Sequence, residues 1–197
     1  HMLRRLAEFT KARGKVPNAT QIGTLLDQHF FLPIANKPAH REMKDAAHRL
    51  MTSYTRNHAD DLFRVWDTER PFELRLDGIT VTGRADAILD HEGGVVTSLA
   101  ILGYQTSTSK DVDHSLQLQV YADAGLKEGL EVRGAYVHDL SSGERVSIDV
   151  APAARTDAEV RIVDAGVRLR SRQLDPNPGE RCGGCEVRHA CESAARV

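Results

Sequence analysis

Residues 1 to 61 follow a helical rhythm. Apolar positions gather over Leu3 to Ala12 and over Thr20 to Phe31, with Asn18-Ala19 before the second run. Between Ala39 and Asp61, Met43, Ala46, Ala47, Leu50, Met51 and Tyr54 recur at intervals of three and four, which gathers them on one buried helical face. Pro33 and Pro38 separate this stretch from the preceding one. The rhythm then changes to alternation. Phe72, Leu74 and Leu76 flank Glu73 and Arg75, a turn follows at Asp77-Gly78, and Ile79 and Val81 lead on to Ala85, Ala87 and Leu89, predicting a two-stranded hairpin.

A second turn, His91 to Gly94, precedes Val95 to Tyr104, whose nearly continuous apolar run predicts a central strand covered on both faces. Helical spacing returns over 113 to 128 with Leu116, Val120, Ala124 and Leu126. Strands are expected over Val132 to Leu140 and Arg145 to Val150, and a last helix over Ala153 to Arg172. The order predicts a mixed α/β (α+β) domain with helices covering a central sheet. Its parts are a helical layer over 1–61, a core over 62–175 and a cysteine-bearing tail over 176–197.

Composition narrows the class. At 197 residues, with 41% hydrophobic and 27% charged side chains, the chain can bury a core without staples. The formal charge of −2 argues against a strongly basic nucleic-acid binder. No apolar run approaches the roughly 18 residues of a membrane helix, and no export signal is evident, so a cytoplasmic location without membrane partners is expected. His1-Met2 reads as a remnant of tag removal.

Chemistry concentrates in one block. Gly83-Arg84-Ala85-Asp86 sets a carboxylate on the second hairpin strand, Gly103-Tyr104-Gln105-Thr106 ends the apolar strand, and Gln117 and Tyr121, four apart, share a helical face. Joined to Cys182, Cys185 and Cys191 in a C-x2-C-x5-C tail, this order resembles the PD-(D/E)XK nucleases of the RecB-like branch, in particular the nuclease module at the C-terminus of UvrD/Rep-type helicases. The resemblance covers residues 20 to 192. It implies a restriction-endonuclease-like mixed sheet flanked by helices and DNA cleavage assisted by Mg²⁺ or Mn²⁺. It also implies a DNA-repair setting with a helicase, or the helicase domain of a parent protein, as partner.

Carried over residue by residue, the resemblance makes Asp86 a metal-binding acid and Gln117 and Tyr121 the helix motif beside the DNA strand. Arg84 and Lys110 are expected to join those two in contacting DNA. The family strand usually ends D-Y-K-T; here Gly103 stands at the second acid position and Gln105 at the lysine position. Asp27 stands where the family has a helical histidine after a glycine, here Gly23, and His29 lies two residues away on a different face. A carboxylate and an ammonium are thus missing where they would hold a cation and stabilise charge on phosphorus, and loss of one such group typically costs a factor of about a hundred to a thousand. The expectation is a degenerate site with weak or absent cleavage that retains DNA binding. One alternative is an active Mg²⁺- or Mn²⁺-dependent exonuclease that uses Asp86 with relocated groups, Asp27 and Lys110 being candidates. Another is a structural or regulatory module of a helicase.

In the resembled family the tail cysteines supply three ligands of a [4Fe–4S] cluster whose fourth cysteine lies upstream, and this chain has no upstream cysteine. Zinc held by Cys182, Cys185, Cys191 and His189 is the alternative, and three reduced thiols with nothing bound is the third. Of the histidines, His40, His48 and His58 are expected to be exposed on one polar helix, with His114 and His138 nearer the cleft.

Overall fold

The computed structural model describes residues 2–33, 36–90, 99–105 and 114–173, together with 175, 176, 178, 179, 182, 183, 185, 187–191 and 193. Its helices are α1 (Met2–Arg13), α2 (Ala19–His29), α3 (Lys37–Asn57), α4 (Ala59–Arg64), α5 (Ser115–Lys127) and α6 (Pro152–Arg170). The strands β1 (Val65–Leu76), β2 (Ile79–Asp90), β3 (Leu99–Gln105), β4 (Val132–Asp139) and β5 (Arg145–Ile148) form one mixed sheet in the order β1-β2-β3-β4-β5. Only β3 and β4 run parallel, joined through α5, and the expected central strand is the middle one of the five. The architecture is the mixed sheet flanked by helices that the sequence predicts.

Local chemistry explains the boundaries. Asn18 caps α2 in a capping box with Gln21, and Asn36 caps α3, whose second residue is Pro38. At the hairpin turn Asp77 and Gly78 take φ values of 42° and 75°, the two left-handed positions of a type I′ turn. One helix expected over Ala39 to Asp61 is two, because His58 leaves helical geometry and α4 begins anew at Ala59. Alternation in β1 begins only at Phe72, whereas the strand itself starts at Val65, over residues half-buried on both faces.

The helices α1 to α4 build the main core, with Leu6, Ile22, Leu26, Met51, Tyr54 and Leu62 meeting Val65, Ala87 and Leu89 of the sheet. Helix α5 is buried around most of its circumference, at Leu118 and from Val120 through Gly125, so its apolar spacing is less informative than an amphipathic helix would make it. The described chain divides into two compact units, His1–Glu159 and Val160–Val197. No helix among the described residues is long and apolar enough to cross a membrane.

The histidine expectation is corrected here. His40 stacks edge-on with Phe30, His48 bonds the Ala19 carbonyl at 2.9 Å, and His58 packs against His138; none of the three is fully exposed. Each ring finds a neighbour on another element or at the α3–α4 break, which helical spacing alone does not reveal.

Candidate active site

Asp86 stands where the sheet opens. The β2–β3 ladder runs from Asp90 opposite Leu99 to Ala87 opposite Leu102 and then stops. Beyond it the Asp86 side chain takes the place of a backbone acceptor: the Tyr104 N–H donates to Asp86 Oδ2 at 2.8 Å. The carboxylate is thereby held at the wall of a cavity of about 270 Å³, which Asp86 lines. Although the side chain opens onto this cavity, the surrounding protein pushes its pKa up; the Tyr104 N–H opposes the rise and the Glu69 charge adds to it.

Glu69 is the residue the sequence pattern missed. Thr68 pairs with Ala87 and Arg70 with Ala85, which leaves Glu69 opposite Asp86, and both line the same cavity. Glu69 holds φ at 53°, a left-handed conformation that costs a side-chain-bearing residue about 1–3 kcal/mol. Nothing in the alternation of β1 singles it out, since its partner across the hairpin is visible only once the register is known. Arg4 of α1 lines the same cavity, and Arg84 Nη1 lies 3.9 Å from Glu69.

The helix motif is assembled as one unit with the hairpin. Gln117 Nε2 donates to the Tyr121 hydroxyl at 3.0 Å, and that hydroxyl accepts the Arg84 N–H at 3.0 Å. Tyr121 is buried and stacks on Phe72, while Gln117 is exposed. A Cβ on Gly83 would stand 2.4 Å from the Tyr121 ring, so glycine is required there for the tyrosine to reach the strand. Arg84, with a side chain 65% exposed, borders a second, shallower groove between the hairpin and Glu128.

Behind Asp86 lies a buried polar network. The Tyr104 hydroxyl meets that of Tyr54 at 2.8 Å, and Tyr54 donates to Asp61 Oδ2 at 3.1 Å, so Tyr104 is the donor of the first bond. Arg145 of β5 pairs with the same Asp61 carboxylate. His138, 1% exposed, sets its ring edge-on to Tyr54, His58 and Tyr104. Burial lowers its pKa to about 4, with the His58 and Arg145 charges acting in the same direction.

The remaining expected residues are dispersed. Asp27 is on α2, its side chain 71% exposed and paired with Lys44, and it does not line the Asp86 cavity. Gly103 lies on β3, where a Cβ would meet Leu118 at 3.5 Å, an ordinary contact. Gln105 is the last residue of β3, and Lys110 and Thr106 lie outside the described residues. His114 precedes α5 as its N-cap residue. In the tail, Cys182, Cys185 and Cys191 are free thiols, and His189 sits exposed in a single 3₁₀ turn, Arg188–Ala190. Among the described residues no three or more His, Cys, Asp or Glu side chains form a group that could hold a metal, so neither a cluster nor zinc finds support at the tail.

For Mg²⁺ or Mn²⁺ at Asp86 the donor chemistry does fit. Two carboxylates facing one cavity are the usual protein contribution to such ions, which take their remaining ligands from water and substrate phosphate.

The chain is 29% identical over 132 residues to the Gene 69 protein of Mycobacterium phage L5; that stretch is 62% of this chain and 43% of the phage protein, so the chain spans less than half the length of this relative. Among solved structures, a "putative exonuclease" from Eubacterium rectale matches 96% of this chain and 74% of its own, at 11% identity and a TM-score of 0.50. The protein SSO0001 matches 98% of this chain and 95% of its own, at 18% identity and a TM-score of 0.45. The sequence pattern of the PD-(D/E)XK nuclease superfamily matches residues 2–192, nearly the whole chain, and the chain belongs to that superfamily.

Proposed function

We propose that this is a DNA-processing domain whose Asp86 cavity binds DNA and a divalent cation but cleaves weakly or not at all. The observation that carries the reading is the contrast within one site: Asp86 is held in place by the Tyr104 N–H, whereas glycine and glutamine occupy the acid and lysine positions of β3. Asp86 with Glu69 would hold Mg²⁺ or Mn²⁺. When bound, such an ion supplies Lewis-acid polarisation of a phosphoryl oxygen and a more acidic water.

The chain's own residues do the rest. Arg84 and Gln117, both exposed beside the hairpin, contact phosphates and position the strand without reading its sequence, and Tyr121 fixes their two elements together. Lys110 belongs to the same proposed contact set. Without an ammonium at residue 105, the charge that develops on the phosphoryl group lacks its usual partner, which leaves binding stronger than catalysis. A helicase, or a helicase domain of the same protein, is the proposed partner, supported by the resemblance of the sequence order to helicase-linked nuclease modules.

The test is DNA affinity by fluorescence anisotropy as a function of salt, alongside Mn²⁺-dependent cleavage of labelled single and double strands. Affinity that falls steeply as salt rises, with little cleavage, is the expected outcome. Absence of salt-dependent binding would instead favour a purely structural module. An exonuclease using relocated groups is a second reading with one observation in its favour, the placement of Glu69 opposite Asp86. Rapid cleavage abolished by Glu69→Gln would establish it.

A further inference from the structure

We propose that Arg4 of α1 is a phosphate-binding residue of the Asp86 cavity and supplies the positive charge that β3 lacks at Gln105. The proposal rests on the reading of that cavity as a phosphodiester site. Three observations carry it. Arg4 lines the cavity together with Asp86, Glu69 and Tyr104. Glu8, one helical turn along, accepts the Arg4 Nε–H at 2.9 Å, which orients the guanidinium and leaves both Nη groups to a ligand. Finally, the neighbouring Arg5 also pairs with Glu8, at 2.7 Å, yet does not line the cavity, so the two arginines differ in place rather than in charge.

The chemistry suits the task. A guanidinium offers paired N–H donors that match two phosphate oxygens, and it remains charged beside carboxylates that hold a cation. Arg4 would therefore pair with non-bridging phosphate oxygens, while Asp86 and Glu69 would hold the ion. Met2 and Leu3 of the same turn, with Met51 and Leu140, form the apolar part of the wall, and the Arg4 side chain itself is 45% exposed at the cavity's edge.

The experiment uses the whole chain and a short fluorescein-labelled oligothymidylate, with Ca²⁺ as the cation so that binding is read without turnover. Arg4→Gln, which keeps the stem and a polar tip, is expected to weaken binding by roughly tenfold and to lower the slope of log Kd against log salt by about one. Arg4→Lys should retain the slope and part of the affinity. Arg5→Gln, which removes the same charge one residue away, should stay within about twofold of the unaltered chain. Circular dichroism and thermal unfolding establish that each variant is folded.

Equal losses for Arg4→Gln and Arg5→Gln would overturn the proposal, since the effect would then be one of general charge. If Arg84→Ala weakens binding and Arg4→Gln does not, the cavity remains a DNA site and Arg4 has no part in it. If neither matters, or the unaltered chain does not bind, the functional reading falls together with this proposal.

Discussion

Two neighbouring regions share Tyr104 and are built on opposite principles. On one side its backbone N–H holds Asp86 in a cavity with few charged groups, one of which, Glu69, adopts an unfavourable backbone conformation. On the other side its hydroxyl joins Tyr54, Asp61, Arg145 and the packed rings of His58 and His138 in a network with little access to water. Asp86, Glu69 and Arg4 line an open cavity, whereas the polar groups of the network face one another inside the protein. Stability and function are thereby separated by one residue, with the network fixing the strand end from which the cavity is hung.

The sharpest way to break this contrast is to remove the shared anion of the network. Asp61→Ala strands the Arg145 guanidinium, half-buried between elements, and is expected to cost about 3 kcal/mol, read as a fall in Tm or in denaturation midpoint. By comparison, Asp86→Ala should cost far less, because it removes a carboxylate that burial already disfavours as an anion.

Gly83→Ala comes next. It drives a methyl group into the Tyr121 ring and should destabilise by about 1–3 kcal/mol while also weakening DNA binding, because Arg84 and Gln117 are tied through that ring. Combining it with Tyr121→Ala should cost less stability than the sum of the two single losses and should restore none of the binding. Thermal unfolding and anisotropy on the same samples separate the two effects.

The network should also show in acid. His138 titrates at about 4 in the folded chain, below the ordinary value of 6.5, so the unfolded chain binds the more protons between these values. The stability this provides is complete above about pH 6.5 and is lost as pH falls toward 4. His138→Phe should flatten the stability profile over that window.

The smallest effect is expected at Glu69→Gly, which relieves the left-handed strain and should raise stability by up to about 1 kcal/mol while weakening Mn²⁺ binding measured by electron paramagnetic resonance. A gain in one property with a loss in the other is what a strained functional residue predicts; a loss in both would make Glu69 a structural residue.

The same contrast explains what could be read from the chain. Asp86, Gln117 and Tyr121 stand out in the sequence because their spacing within the order of elements resembles a known pattern, and the hairpin turn at Asp77-Gly78 announced itself through residues that tolerate positive φ. Glu69 and Arg4 do not, since one becomes a neighbour of Asp86 only through cross-strand register and the other only through the packing of α1. Asp27, matched by position along the chain, pairs with Lys44 and does not line the Asp86 cavity. The polar network was hidden because His58 and Asp61, at the start of α4, meet His138 of β4 only through the fold, and in sequence their polar residues look like a solvated surface.

The central claim is that an intact frame surrounds a depleted catalytic set. Its most direct test is the rate of Mn²⁺-dependent cleavage of labelled DNA by a Gly103→Asp, Gln105→Lys variant relative to the unaltered chain, with Asp86→Ala added to the restored variant as a control. The account predicts little cleavage by the unaltered chain, a gain of at least about a hundredfold on restoration, and loss of that gain with Asp86→Ala. A restored variant that folds and stays inert, or an unaltered chain that already cuts rapidly, would contradict it.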